Sequence, residues 1–319
     1  MPHSASGFQL GDNRNSPFLI GVGKSGCRIA GEMQDAGFQA GYHFVSLNPK
    51  DLGGRSSFVD WRTLDDEVLK ELLGREAEGR GQCVVFGGLG GRSGSYLLPR
   101  AVSAARKAGL GCLAVVLLPF NEQRDMEFAA GAALERVRKE EGTGIIVVDR
   151  EQFVEEAFEE LPIGSVHDAI NRRVAGVMAS VLEEGEAPIG SGGESLLEIR
   201  DAGEGFSKAM GGLTRRTWAM AGSAVDDLLV LSSGNRPTTL GNAGLAAEGL
   251  RNMVSSGSRI RYLNSASISG GSVLAVVAHT ASRLSLRVYD PLESILGDRT
   301  IDAEPESGLR IPLALDRVD

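Results

Sequence analysis

The sequence has few cysteines and histidines, and neither type is spaced as metal ligands usually are. The three cysteines, Cys27, Cys83 and Cys112, lie far apart, and two of them fall inside apolar runs. This pattern indicates reduced core residues and argues against a disulfide framework. The four histidines show neither metal-ligand spacing nor a readable Ser-His-Asp arrangement, so the sequence gives little support to a metalloenzyme or a triad hydrolase.

Basic residues and long apolar runs are also scarce. Lysine and arginine total 33 against 42 aspartates and glutamates, giving a formal net charge of −9 with no broad basic stripe. We therefore expect no nucleic-acid partner bound through its phosphates. No apolar run has the length of a membrane span, and the first 16 residues are polar, without a signal-peptide core. We expect a cytoplasmic protein that does not insert into membranes, with residues 1–16 as a disordered arm.

Glycine, by contrast, is abundant, and five glycines fall in the stretch 86–96, FGGLGGRSGSY. The stretch follows an apolar, strand-like run at 83–86 and precedes a helix-compatible segment. Backbone N–H groups in such a turn can point into one concavity, and the dipole of the following helix favours an anion there. The pattern predicts a phosphate-binding turn, and the alternative is a flexible surface loop. The expected donors are Gly90, Gly91, Ser93, Gly94 and Ser95.

A second glycine turn follows the first predicted strand, which spans residues 17–20. Gly21, Gly23 and Gly26 match the dinucleotide fingerprint G-x-G-x-x-G, which favours an NAD(P)-dependent oxidoreductase. That interpretation expects an acidic residue at the end of the second strand, but the run 42–47 ends in Asn48. A Walker loop is excluded because Phe18 stands where its first glycine is required. The dinucleotide interpretation also leaves the stretch 86–96 unexplained.

The two turns together resemble the FtsZ/tubulin superfamily. The stretch 86–96 resembles its signature G-x-G-G-G-[ST]-G-[ST]-G, with Arg92 in place of the third consecutive glycine and Tyr96 in place of the last. In FtsZ-like proteins the first loop is likewise a glycine turn, and the second strand ends in Asn. The resemblance is to a divergent member of the superfamily.

The resemblance implies an α/β fold made of a parallel-sheet GTP-binding domain, a central helix and a smaller α+β domain. We expect the nucleotide-binding domain at 17–163, the central helix at 164–184, the second (activation) domain at 185–290 and an acidic tail at 291–319. Within the second domain, the pattern predicts strands at 226–235, 272–278 and 284–289 and a helix at 240–255.

The implied ligand is GTP, with Mg²⁺ as the candidate companion ion. Both glycine turns and the end of the second strand would hold it. The residues implied here are Gly21, Gly23, Lys24, Ser25, Gly26, Asn48, Gly88, Gly90, Gly91, Arg92, Ser93, Gly94 and Ser95.

Four later residues complete the implied site. Glu122 and Arg124 follow a Pro-Phe-Asn sequence at 119–121 that resembles FtsZ, where a nearby Glu and Arg approach the ribose and phosphate. Asp149 ends the predicted strand 144–148, where relatives carry an Asn near the nucleotide. Asp168 takes the place of the Asp that accepts the guanine N1 and N2 hydrogens. The alternative for Asp168 is an acid that only favours the helix dipole.

The resemblance also implies head-to-tail filaments in which one subunit completes the site of the next. The family's catalytic loop, N-x-D-x-x-[DE], aligns with 193–198, where only the last acid survives. Glu198 is therefore the candidate catalytic residue, with Glu194 as an assistant, and we expect slow, assembly-dependent GTP hydrolysis. The alternatives are a non-hydrolysing, GTP-bound scaffold and the NAD(P)-dependent oxidoreductase.

The end of the chain, 309–315, resembles the FtsZ tail peptide L-D-I-P-x-F-L. In that family the peptide docks onto membrane-tethering proteins, so the resemblance implies such a partner here. The alternative is a last strand or turn that packs on the protein's own second domain.

Overall fold

The computed structural model describes residues 16–53, 81–153, 163–185, 193–201, 209, 225–233, 254–265, 273–281, 283–284 and 286. The predicted arm up to residue 15, nearly all of the predicted helix 240–255 and the tail 291–319 lie outside these residues. No helix among the described residues is long and apolar enough to cross a membrane.

Strands and helices alternate through the first half of the chain, as the sequence predicts. The strands are β1 (Phe18–Val22), β2 (Gly41–Val45), β3 (Gln82–Gly88), β4 (Gly111–Leu117) and β5 (Thr143–Val148). The helices are α1 (Gly23–Asp35), α2 (Arg92–Lys107), α3 (Arg124–Arg138) and the long α4 (Ile163–Glu183). Short 3₁₀ helices follow β2 at Pro49–Leu52 and β5 at Arg150–Phe153.

Four more strands follow α4: β6 (Glu194–Asp201), β7 (Val225–Ser233), β8 (Val254–Ser265) and β9 (Val273–Thr280). The nine described strands form one sheet in the order β2-β1-β3-β4-β5-β6-β9-β7-β8. Neighbours from β2 to β6 are parallel, and β9 pairs antiparallel with both β6 and β7. The predicted α/β class with a parallel sheet is confirmed. Strand β6, which falls in the predicted second domain, extends the same sheet.

Helices cover both faces of the parallel strands. One apolar cluster joins α1 and α4 to the sheet, and the other joins α2 and α3 to the opposite face. Strands buried on both sides need apolar residues at nearly every position, and all five residues of β1 are buried. The apolar stripe of α4 packs inward, with Ile170, Val174 and Val177 fully buried. Cys27, Cys83 and Cys112 are buried and form no disulfide among the described residues, as predicted.

Candidate nucleotide-binding site

A cavity of about 1010 Å³ lies at the carboxyl ends of β1, β2 and β3 and beside the first turns of α4. Its position follows from the strand order, which reverses between β1 and β3. The helix after β1 packs on one face of the sheet, and the helix after β3 packs on the other. The two connections diverge, and ligands of open α/β sheets bind in the crevice between such connections.

The two glycine turns predicted from the sequence meet in this crevice. A Cβ on Gly94 would clash with the carbonyl oxygen of Gly88, so the second turn closes on its own backbone. Gly23 has a φ of +64°, and a Cβ there would lie 3.1 Å from the Cβ of Ser93. A side chain at residue 23 would therefore crowd the second turn, and glycine lets the two turns approach closely.

Helix α2 begins inside the second turn, with Gly91 at its N-cap position, and no side chain of the described residues makes an N-cap hydrogen bond there. Arg92 and Ser93 belong to its first helical turn and line the cavity. Uncapped N–H groups at a helix start favour an anion, because they carry the positive end of the helix dipole. This end of the cavity is suited to phosphate.

Arg150 brings a cation into the same part of the cavity. It is the first residue of the 3₁₀ helix after β5 and is 6% exposed. Its Nη2 donates a hydrogen bond to Ser25 Oγ at 2.6 Å, and its guanidinium carbon lies 6.0 Å from the ring centre of Phe120. The sequence patterns do not identify this residue, although it directly follows the predicted Asp149.

The wall formed by α4 carries His167 and Asn171, which are four residues apart and share one helix face. Asn171 is 3% exposed, and its Oδ1 has no hydrogen-bond partner among the described residues. A buried polar atom without a partner costs free energy, which a ligand that donates a hydrogen bond would recover. Asn171 is therefore placed to accept from a ligand.

His167 packs edge-on against Phe120, with ring centres 5.3 Å apart. Burial lowers the pKa of His167, and the nearby positive charges of Arg150 and Lys24 lower it further, against a smaller opposing effect of Asp168. The imidazole is therefore neutral at pH 7 and contributes a hydrogen-bonding ring to the cavity wall.

No known protein-family model matches the sequence, and no curated protein is detectably similar to it. Solved structures do match. FtsZ from M. jannaschii superposes with a TM-score of 0.68 at 15% identity, over 83% of this chain and 91% of that one. The chain has the FtsZ/tubulin fold.

Two further structures with this fold are protofilaments. The GTPγS-bound protofilament of CetZ2 from Haloferax volcanii matches with a TM-score of 0.62 at 22% identity, over 89% of this chain and 97% of that one. The GDP-form protofilaments of TubZ from Bacillus thuringiensis serovar israelensis match with a TM-score of 0.58 at 14% identity, over 89% and 90%.

Just over half of the predicted nucleotide contacts line the cavity of this FtsZ-like fold. They come from both glycine turns and from the end of β2. They are Gly23, Lys24, Ser25, Asn48, Gly88, Gly91, Arg92, Ser93 and Gly94.

Four other predicted contacts lie outside the cavity wall and pack within the turns. They are Gly21, Gly26, Gly90 and Ser95. A Cβ on Gly21 would lie 2.7 Å from the carbonyl oxygen of Gly26, and a Cβ on Gly26 would clash with the backbone of β3. Gly90 has a φ of +90° and donates its N–H to Ser95 Oγ at 2.8 Å. These residues do not line the cavity, and their position explains their glycine and serine identities through packing.

The four later contacts implied by the resemblance do not reach the cavity wall. Glu122 and Arg124 are exposed at the start of α3. Asp149 Oδ1 accepts the backbone N–H of Glu151 at 3.0 Å and so caps the short 3₁₀ helix. Asp168 Oδ1 lies 3.5 Å from Nε of Arg28 in α1. It faces α1 because successive residues of a helix are rotated by about 100°, which turns Asp168 away from the direction of His167.

Sequence reasoning missed the residues that reach the cavity from elsewhere in the fold. The spacing of His167 and Asn171 on one helix face was the only local signal for any of them. The missed lining residues are Leu47, Asp51, Leu89, Tyr96, Gln123, Met126, Arg150, His167 and Asn171.

The segment 193–198, with which the resemblance aligns the family's catalytic loop, lies almost entirely in a strand. Residues 194–201 form β6, which pairs with β5 and β9, and Glu198 is 1% exposed within that strand. Neighbouring Leu196 and Leu197 pack into the two apolar clusters, so the segment is held inside the sheet. Glu198 is therefore not exposed on a loop, and its catalytic role stays a prediction.

Glu194 has a structural partner. Its carboxylate accepts from Nε and Nη2 of Arg138 in α3, at 2.5 and 2.8 Å, and from the backbone N–H of Leu284 at 2.9 Å. Both side chains of this ion pair are largely buried. Glu194 therefore fastens α3 to the first residue of β6.

The donor groups of the cavity do not suit a divalent cation held by the protein. Asp51 is its only carboxylate among the described lining residues, and Asp51 Oδ2 accepts the hydroxyl of Ser46 at 2.6 Å. The described residues include no group of three His, Cys, Asp or Glu side chains that could hold a metal. Hard cations such as Mg²⁺ prefer carboxylate oxygens, whereas this cavity presents Lys24, Arg92 and Arg150.

Proposed function

We propose that this protein is a divergent, cytoplasmic member of the FtsZ/tubulin superfamily that binds GTP in the cavity at the carboxyl ends of β1 and β3. The observation that carries the proposal is the meeting of two glycine turns in one crevice, with Gly23 against Ser93 and an uncapped helix start beside them. A single turn would suit any dinucleotide fold. Two opposed turns suit a chain of phosphates held from both sides.

We assign the contact with the base to Asn171 instead of Asp168. Its buried Oδ1 is placed to accept one of the N–H groups that guanine presents at N1 and N2. An amide oxygen discriminates guanine from adenine less strictly than a carboxylate does, since adenine also presents N–H groups. The choice of GTP therefore also draws on the likeness to CetZ2, which was solved with GTPγS.

We further propose that the protein assembles head to tail. Two of the structurally similar proteins are protofilaments. A heterologous contact that does not close into a ring extends into a filament, and in such a filament each copy would cover the nucleotide of the next. The peptide 309–315, which lies outside the described residues, is the proposed contact for a membrane-tethering protein.

GTP hydrolysis by this protein should be slow at most. The aligned loop lacks the family's Asn and first Asp, and Glu198 is buried in β6. This burial favours the second candidate function, a scaffold that uses GTP to assemble without turning it over efficiently.

Sedimentation and negative-stain electron microscopy of the purified protein test this proposal. We expect pelleted filaments with GTP and far fewer with GDP or without nucleotide. Phosphate release measured over a range of protein concentrations separates the two candidates: a rate per subunit that rises with assembly indicates a GTPase, and no release above background indicates the scaffold. Equal assembly with and without GTP would contradict the proposal.

A further inference from the structure

We propose that Arg150 is a phosphate-binding residue of this site, and that its charge allows nucleotide binding without a divalent cation. The inference rests on the proposed function in one respect, namely that the cavity binds a nucleoside phosphate. It assigns a role to a residue that neither the sequence patterns nor the resemblance singled out.

The location of Arg150 between the two glycine turns is the first argument. Its Nη2 donates to Ser25 Oγ, in the first turn of α1, at 2.6 Å. A Cβ on Gly88, in the other turn, would lie only 2.8 Å from the same Nη2 atom. The guanidinium therefore lies where the two turns converge, and a side chain at residue 88 would require it to shift. A planar guanidinium can bind a phosphate through two parallel hydrogen bonds.

The second argument is that the backbone of Arg150 is held in place before any ligand binds. The side-chain amide of Gln152, which is fully buried, donates to the carbonyl oxygens of Asp149 and Leu197 at 2.7 and 3.1 Å. Its Oε1 accepts the N–H of Ile199 at 2.6 Å. The 3₁₀ helix is thus fastened to β6, and the backbone of Arg150 loses little conformational freedom when the residue binds an anion.

Charge gives the third argument. Three cationic side chains, Lys24, Arg92 and Arg150, line the cavity, whereas Asp51 is the only lining carboxylate among the described residues. Burial is the largest cause of the lowered pKa of His167, and the positive charges of Arg150 and Lys24 lower it further, as a positive potential there would. A triphosphate entering this cavity meets neutralising charge from the chain itself, which is the role that Mg²⁺ otherwise plays for nucleotides.

Arg124 provides a matched control. The resemblance implies that Arg124 approaches the phosphate, but it is exposed at the start of α3 and does not line the cavity. Replacing either arginine by methionine removes one positive charge from the same protein. Only the change at Arg150 should affect phosphate binding.

The experiment is calorimetric titration of the nucleotide-free protein with GTP, GDP and guanosine, each in excess Mg²⁺ and in excess EDTA. For the wild type we expect the Kd of GDP to change by less than about threefold between the two conditions. Arg150→Met should weaken GTP and GDP by at least about tenfold in EDTA, the size of one charge-assisted hydrogen bond. Its affinity for guanosine should be unchanged. Arg150→Lys should be intermediate, and Arg124→Met should match the wild type.

Four results would overturn the inference: wild-type binding that requires Mg²⁺, unchanged GTP and GDP affinity in Arg150→Met, equal weakening in Arg124→Met, or a loss of guanosine binding together with a lowered melting temperature in Arg150→Met. The last result would make Arg150 a structural residue. Arg150-dependent binding of ATP or inorganic triphosphate, without binding of GTP, would uphold the inference while refuting the choice of guanine. Binding of no phosphate compound by the wild type would refute both.

Discussion

Gly94 and Gly88 approach so closely that a Cβ on Gly94 would clash with the carbonyl oxygen of Gly88. Gly91 lies in the same turn, but a Cβ there would meet nothing within 4 Å, and its φ of −76° is ordinary for any residue. Gly94 therefore has no room for a side chain, whereas Gly91 has, although both match the family signature.

We predict that Gly94→Ala opens the second turn and weakens GTP binding by at least about tenfold, because the clash is with backbone that cannot move aside. Its melting temperature should fall by several degrees. Gly91→Ala is the matched control and should keep the wild-type melting temperature. Thermal unfolding and calorimetric titration of both variants test this, and an unaffected Gly94→Ala would contradict the closed turn.

Asn171 Oδ1, which has no hydrogen-bond partner in the described part of the chain, leads to a prediction with opposite effects on stability and binding. Asn171→Leu removes a buried acceptor and keeps a similar volume, so the ligand-free protein should melt at the same or a higher temperature. Its affinity for GTP should fall by about tenfold, or ~1.4 kcal/mol. Asp168→Asn, one turn earlier, should leave the GTP affinity unchanged. The reverse result would restore Asp168 as the base contact implied by the resemblance.

The pair of Glu194 and Arg138 should contribute strongly to stability. Replacing one partner of a buried pair leaves the other charge uncompensated, which costs about 3–5 kcal/mol. We therefore expect Glu194→Gln to lower the free energy of unfolding by about that amount, measured by urea denaturation.

Glu135 also bonds Arg138, at 2.7 Å, but its side chain is 46% exposed. Because solvent screens such a pair, Glu135→Gln should cost less than about 1 kcal/mol. Equal costs for the two substitutions would mean that Glu194 is not the dominant partner of Arg138.

The buried position of Glu198 predicts that its replacement affects stability and not turnover. Glu198→Ala should lower the melting temperature by several degrees, because it leaves a cavity in the middle of the sheet. At a temperature where the variant is folded, its phosphate release per subunit should equal that of the wild type. Normal stability with abolished turnover would instead support the catalytic role implied by the resemblance.

The parts of the site that the sequence predicted are those that depend on local order along the chain. A glycine turn after an apolar strand can be identified within ten residues, and both turns indeed line the cavity. The contribution of Arg150 depends on Gln152 and on the pairing of β5 with β6, which lie far apart in sequence. The rotation of α4 about its own axis decides whether Asn171 or Asp168 faces the cavity. The sequence does not specify that rotation.

The strand β6 likewise depends on a residue far away in the sequence. The resemblance aligns the family's catalytic loop with 193–198. In the folded chain Glu194 is neutralised by Arg138, 56 residues earlier, so a strand can carry it. Strand β8, Val254–Ser265, is not predicted from the sequence either, and it begins at the end of the predicted helix 240–255.

The most direct test of the central claim is calorimetric titration of the nucleotide-free wild-type protein with GTP, ATP and NAD under identical conditions. If the two glycine turns form a nucleotide site of the FtsZ type, GTP should bind most tightly and NAD should bind weakly or not at all. If NAD binds more tightly than GTP, the dinucleotide interpretation of Gly21, Gly23 and Gly26 is correct, and a GTP site of the FtsZ type is contradicted.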